Sequence, residues 1–582
     1  MRRNHRLTED ALGQLAAGLG SSSVIRRLAA GQLSRRKLQL RYLRDVLDSG
    51  ELKDYWDLFT AVDQRASGIV EDLVLLPHTG AWLALALRRV RGTSQRDAGL
   101  GYFGMLAAAA ASRAGVDFKL PVSPLAGGTV LLPDLGRAVV GDASQVTVSY
   151  AGGELRVGPI VVPEPGAPDP EGWQGLRRLH SEAGGLPVTL RLDDLDPFRD
   201  CHDLSAADRL PPAEAGRWQR LLDEAWPILV AHHRGYAEAI AAGLATIVPL
   251  RTDQSRVGMN VTSMDAFGAV ALTTPVDGTG LALGLLHEFQ HAKLGALLDI
   301  VPLYHRDDRP RFYAPWRDDP RPLGAALQGV YAFLGVTDFW RVQRQVLTGP
   351  QARLAEAEFV RWRDRVWRTF RELEDSDRFT PIGRRFLAGL RGRQRRWGDE
   401  PASAGAVELA WEAAEDHWIG WRLRNRQPDP DTVALLAAAW RDGSPCPDVV
   451  VATTIRPGQG RQLAHSPRLD LTRLRITDPG RFARLATEPE SLAALVPDAS
   501  PADLALARGD HDTARRAYRS LILDGDDRLA PWIGLTLACQ RQSGELPYPE
   551  LCRAVHQRLR APDRPPVDPL ALAEWLLPAT AG

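Results

Sequence analysis

Two histidines four residues apart with a glutamate beside the first, His287-Glu288-Phe289-Gln290-His291, carry the clearest chemical potential in this sequence. On a helix, positions i and i+4 lie about 40° apart around the axis, so both imidazoles face one ion. Glu288 lies about 60° from His291 and reaches the same space, which is the metal-plus-base geometry of this motif. The run from Leu281 to Leu298 is apolar on nearly every side. His287, Glu288, Gln290 and His291 are thus polar groups in a place where unpaired burial costs about 1–3 kcal/mol each. A metal satisfies them together, and a metal site is expected. The competing reading is two satisfied histidines on a buried core helix.

Two imidazoles do not complete a coordination sphere. Asp299 is a nearby carboxylate, but on a continuous helix it sits about 12 Å beyond His291, which makes it a helix-end group. Glu288 diverges by about 100° from its neighbour His287, so direct ligation by both is strained, and Glu288 is kept as a base or as a group beside the metal. Among downstream residues, His417, in Glu415-Asp416-His417-Trp418, is the chemically better third ligand. Gln328 is the second choice, because a neutral amide is a weak ligand. His232, His233 and His305 read better as ordinary surface or core residues. Lys293 points about 160° away from His291 around the helix and is discounted.

The elements that must position these groups follow from the periodicity. Residues 8–113 show apolar positions at three- to four-residue intervals, as helices require. The basic run Ser34-Arg35-Arg36-Lys37 inside them reads as a solvated helix face. Between 119 and 192 the texture changes to short alternating runs punctuated by Gly152-Gly153 and Gly184-Gly185, the signature of strands and hairpins. Thr246-Ile247-Val248-Pro249-Leu250 and residues 267–273 read as two strands leading into the motif helix, the order a zincin-like core requires. Helices then run over 323–390 and 404–424, and a tetratricopeptide-like pair is suggested near 502–535. The predicted fold is mainly α with a strand-rich insert, an α+β chain. Its predicted regions are an N-terminal helical region (1–118), a strand-rich sub-domain (119–212), an HExxH metal-binding core (213–443) and a C-terminal helical domain (444–582).

Composition narrows the function classes. A chain of 582 residues holds several cores, about two to four folded units. Lys plus Arg equals Asp plus Glu at 72 each, so no global field favours nucleic acid or an anionic membrane. Four cysteines without metal-type spacing argue against a disulfide framework and against a Cys-based zinc site. The first residues lack a signal-peptide core, and the longest apolar stretch, 100–111, is too short for a membrane span. A cytoplasmic protein is expected.

The motif does not stand alone. The stretch from Leu286 to Asp299, continued by Tyr313-Ala314-Pro315-Trp316-Arg317-Asp318-Asp319-Pro320-Arg321-Pro322 and by Gln328-Gly329-Val330-Tyr331, resembles the actinobacterial HExxH-motif peptide-modification family. Some of its members are iron- and 2-oxoglutarate-dependent peptide β-hydroxylases. The likeness extends to residues 12–45 and to Trp421-Arg422-Leu423-Arg424-Asn425, and so spans most of 8–430. It implies an oxygenase of RiPP biosynthesis, a post-translational modification enzyme acting on a ribosomally made precursor peptide beside other maturation enzymes. His287 and His291 are then the iron ligands, with Glu288 beside them. Iron(II) with few protein ligands leaves positions for 2-oxoglutarate and dioxygen. Arg317, Arg321 and Arg422 are candidates for the acid's distal carboxylate, since a guanidinium grips a carboxylate with two parallel bonds. Two other readings stay open: a zinc metallopeptidase with Glu288 as general base, and a non-enzymatic, metal-stabilised scaffold that recruits peptide or partner enzymes. The many tryptophans are expected to pack the core.

Overall fold

The computed structural model describes residues 5–47, 50–92, 99–200, 204–251, 260–456, 466–485, 487–540, 548–561 and 565–577. The chain is 59% helical with a strand-rich insert, as the sequence pattern predicts at the level of an α+β class. It forms two compact units, Met1–Leu303 with Pro381–Leu390, and Tyr304–Thr380 with Arg391–Gly582.

The first unit opens with helices α1 (Glu9–Ala16), α2 (Ser22–Val46), α3 (Gly50–Val74), α4 (Pro77–Arg91) and α5 (Gly101–Arg113). Thr8 caps α1 by accepting from the amide of Ala11 at 3.2 Å, which satisfies one of the donors a helix start leaves unpaired. The small side chains of Ala107 to Ala111 let α5 lie in the core from Tyr102 to Ala111, where Tyr55, Phe59 and Trp82 pack around it. The basic run on α2 departs from expectation. Arg35 and Lys37 pair with Asp299 and Glu71 at the surface, but Arg36 is only 1% exposed. Its guanidinium donates to the carbonyls of Val74, Leu76 and Phe267. It fixes the end of α3 and the α3–α4 turn by satisfying acceptors that burial otherwise orphans. Burial lowers its pKa to about 10.

The strand-rich region contributes β1 (Phe118–Val122), β2 (Thr129–Leu132), β3 (Gly136–Val139), β4 (Val146–Ala151), β5 (Glu154–Val157), β6 (Ile160–Val161), β7 (Trp173–Gly175), β8 (Arg177–Ala183) and β9 (Leu186–Leu192). They are followed by α6 (Pro212–His232), α7 (Arg234–Gly243), β10 (Thr246–Pro249), β11 (Asn260–Val261), β12 (Ala269–Leu272) and the motif helix α8 (Gly278–Leu298). Two antiparallel sheets, β1-β4-β5-β6 and β2-β3-β7, accompany a mixed five-stranded sheet of order β11-β12-β10-β9-β8. In the mixed sheet β10 is parallel to both β12 and β9. Every residue of β10 and β12 is buried, which is why these strands read as continuous apolar runs. β8 and β9 alternate instead, as a pair with one solvated face does.

The second unit is built from α9 (Leu323–Val346), α10 (Gly349–Glu374), α11 (Pro381–Gly398), whose first ten residues belong to the first unit, and α12 (Ala404–Asn425). A two-stranded pair, β13 (Arg426–Pro428) and β14 (Thr453–Ile455), flanks α13 (Pro430–Arg441). Helices then run through α14 (Pro467–Thr477), α15 (Pro479–Arg484), α16 (Leu492–Leu495), α17 (Pro501–Ala507), α18 (His511–Leu523), α19 (Leu529–Gln540), α20 (Pro549–Leu559) and α21 (Pro569–Leu576). The ring of Tyr518 lies so close on α19 that a Cβ at Gly534 falls 2.1 Å from its Cζ. Tyr518 also donates to Asp503 at 2.7 Å, and Arg468 bonds both Asp503 and Asp416, giving a buried charge network. Among the described residues no single helix is long and apolar enough to cross a membrane, although α3 and α4 pass that test as a pair bent by 84°.

Candidate metal centre

The motif helix starts where Asp277, on the turn after β12, accepts from the amide of Gly280 at 2.8 Å. It is buried nearly all round, as a core helix without an apolar stripe must be. Asp299 is its C-cap and accepts from Gln32 at 2.8 Å and Arg35 at 2.9 Å, so this carboxylate is spent on the helix end.

His287 and His291 stand one turn apart with ring centroids 4.9 Å from each other and planes at 83°. Both are partly buried, while Glu288 is 1% exposed. One carboxyl oxygen of Glu288 lies 3.6 Å from His287 Nε2, and the other accepts from Thr262 Oγ1 at 2.7 Å. Burial and the neighbouring His291 push the His287 imidazole well below its ordinary value. It is therefore neutral at pH 7, the form in which histidine binds metals. Burial also drives the Glu288 carboxyl up to about 8, against the opposing effect of the Thr262 bond.

Gln290 and Lys293 belong to a different surface of the helix. The Gln290 amide donates to the carbonyl of Gly18 at 3.1 Å. The Lys293 ammonium donates to Gly18 and Leu19 at 3.0 and 3.2 Å and lies over the Tyr236 ring. The sequence pattern grouped Gln290 with the metal-satisfied polar groups; its partner is instead the backbone between α1 and α2.

His417, Gln328 and the three candidate arginines lie in the second unit. His417, on α12, bonds the Tyr313 hydroxyl through Nδ1 at 2.8 Å. Its Nε2 is buried without a hydrogen-bond partner, with Asp318 Oδ1 3.6 Å away, beyond bonding range. Burial, then Arg361, Arg424 and Arg365, lower its pKa to about 3, so this ring too is neutral. Gln328 sits on α9, partly buried. Arg317 and Arg321 both bond one carboxylate, Asp319, at 2.6 and 2.8 Å. Arg422 bonds Glu550 through Nε and Nη2 at 3.2 and 2.8 Å. Tyr313 is ringed by Trp418 and Trp421 at 4.7 and 5.3 Å, and Trp421 is fully buried, as core tryptophans are. His233 is buried and His232 exposed, while the backbone amide of His305 bonds Arg378.

Three groups here escaped the sequence reading. Thr262, the donor to Glu288, comes 26 residues before it with no motif of its own. Tyr313 and Asp318, the neighbours of His417, stand in the conspicuous Tyr313-Ala314-Pro315-Trp316-Arg317-Asp318 stretch, which was their available signal. No family model matches this sequence, and no curated protein matches it either.

Proposed function

We propose that this chain is an iron(II)- and 2-oxoglutarate-dependent oxygenase that hydroxylates a side-chain β-carbon of a ribosomally made precursor peptide, with His287 and His291 as iron ligands. The observation that supports this most is the pair of imidazoles one helical turn apart, with the His287 ring neutral and a buried carboxyl beside it. A zincin-like core is part of the same reading, supported by the order in which the buried strand β12 precedes α8, the helix that carries the motif. Iron(II) with 2-oxoglutarate and dioxygen supplies the oxidising power, one oxygen atom going to carbon while the oxo acid leaves as succinate and carbon dioxide.

The chain's own residues then orient and bind. Thr262 holds one oxygen of Glu288 and aims the other toward His287. Arg317, Arg321 and Arg422 remain the candidates for the acid's distal carboxylate; Arg317 and Arg321 both bond Asp319. Arg422 already faces a buried carboxylate of its own in Glu550.

A second reading, a zinc peptidase that processes the precursor, is favoured by one observation. A carboxyl 3.6 Å from the first metal histidine is placed as a general base acting on metal-bound water requires. Protein purified without oxygen should hold iron. Incubated with iron(II), 2-oxoglutarate and the precursor peptide encoded beside its gene, it should add one oxygen to that peptide only when the oxo acid is present. Cleavage of the peptide with zinc and no oxo acid would replace the oxygenase by the peptidase. Bound metal with neither product would leave a scaffold. His287→Ala and His291→Ala should each remove metal and activity. Glu288→Gln should abolish peptidase turnover yet leave part of an oxygenase's.

A further inference from the structure

The loop after β9, Asp193-Asp194-Leu195-Asp196, buries three carboxylates at 6%, 0% and 4% exposure. They are balanced very unequally. Asp194 accepts from two guanidiniums, Arg209 at 2.7 Å and Arg177 at 3.1 Å, and from the amide of Leu210. Asp193 and Asp196 have one ring between them: among the described residues, the cationic side chain that pairs with either is His78, itself 5% exposed at the start of α4. A buried carboxylate without a countercharge is strongly disfavoured in an interior of low polarity.

The hydrogen bonds show which atoms are left for a partner. Asp193 Oδ1 is held by the amides of Leu195 and Asp196, both at 3.0 Å. Asp196 Oδ1 is held by the amide of Phe198 at 2.8 Å. Each carboxylate therefore turns its Oδ2 toward His78 Nδ1, at 2.9 Å for Asp193 and 3.9 Å for Asp196. The Tyr102 hydroxyl steadies Asp196 Oδ2 at 3.1 Å. One ligand atom from each of the three residues lies within 4.8 Å of the others, and among the described residues this is the one group of three such side chains that converges so closely. Ligands bound at about 2.1 Å are spaced by roughly 3 Å when adjacent and about 4 Å when opposite, and the two separations from His78 Nδ1 match. His78, Asp193 and Asp196 also line a small cavity of about 20 Å³ together with Tyr102, Arg191 and Thr246.

We propose that His78, Asp193 and Asp196 form a divalent-cation site, distinct in its ligands from the motif helix, that ties the β9 loop to the start of α4. One imidazole and two carboxylates, held by backbone amides and a tyrosine, suit a first-row ion such as manganese(II), iron(II) or zinc, and not a soft thiolate-seeking one. The full chain carrying His287→Ala and His291→Ala, stripped of metal, tests this by calorimetric titration with manganese(II) and, separately, zinc(II). One equivalent should bind, and adding Asp196→Asn or His78→Gln should weaken it at least about tenfold while circular dichroism stays unchanged. A folded double variant that takes up no ion makes the cluster an imidazolium–carboxylate pair only and overturns the proposal. If the double variant does not fold, the wild-type chain is compared with Asp196→Asn: loss of one bound equivalent supports the site, unchanged stoichiometry and affinity overturn it. Failure of the motif reading is distinguishable, because then His287→Ala with His291→Ala leaves the wild-type stoichiometry intact while Asp196→Asn abolishes it.

Discussion

The hydroxyl of Thr262 meets Glu288 twice, at its carboxyl oxygen and at its backbone carbonyl, 2.7 and 3.1 Å away. Thr262→Val keeps the shape and removes the donor, leaving a buried carboxyl oxygen unpaired, at a cost of about 1–3 kcal/mol. Urea unfolding of the metal-free protein should show that loss in the midpoint with little change in slope. A second prediction concerns Asp503. Burial acts to raise its carboxyl, but Arg468, Ser500 and Tyr518 outweigh that and hold it below the usual range. A carboxyl depressed by the fold contributes stability that is full above its unfolded value of about 3.9 and is lost as pH falls through the lower folded value. Asp503→Asn should therefore be destabilising at pH 7, and the gap to wild type in thermal midpoint should close progressively below about pH 4. At this scale the sequence was legible where chemistry depends on local spacing, as in His287, Glu288 and His291. Thr262, and the convergence of His78 with Asp193 and Asp196 across 115 residues, were not, because nothing local marks a partner that only the fold brings near.

At the scale of elements, continuous apolar runs announced β10 and β12 and alternation announced β8 and β9, since burial on two faces or one leaves different periods in the sequence. The basic run on α2 misled for a physical reason. A row of like charges resembles a solvated face, and the carbonyls that pay for burying Arg36 lie 38 to 231 residues away. The motif helix depends on an equally non-local fit. A Cβ on Gly243, the last residue of α7, falls 2.5 Å from Ile25 Cγ2 on α2 and 2.8 Å from Phe289 Cζ on α8. Gly243→Ala should force these helices apart, destabilising the fold by about 1–3 kcal/mol, as read from the urea midpoint.

For the whole molecule, net charge near zero says little about the fold, while length and the two compact units say more. Two units of this kind need not melt together, and calorimetry should give an unfolding enthalpy above the van't Hoff value. The motif helix and the His78 cluster both lie in Met1–Leu303. An ion bound at either should raise the midpoint of one transition and leave the other in place. A single transition moved as a whole by added metal would show that the units unfold as one.

The Gly18 carbonyl, which accepts from Gln290 and Lys293, also has a consequence in time. Its donors come 272 and 275 residues later in the chain. A ribosome adding about 5–20 residues per second takes roughly 15–55 s to supply them. Throughout that interval this acceptor lacks both donors, and the motif helix arrives as a late-made piece of the first unit, with Pro381–Leu390 still to follow. A nascent chain released before Gln290 would therefore lack both donors to Gly18.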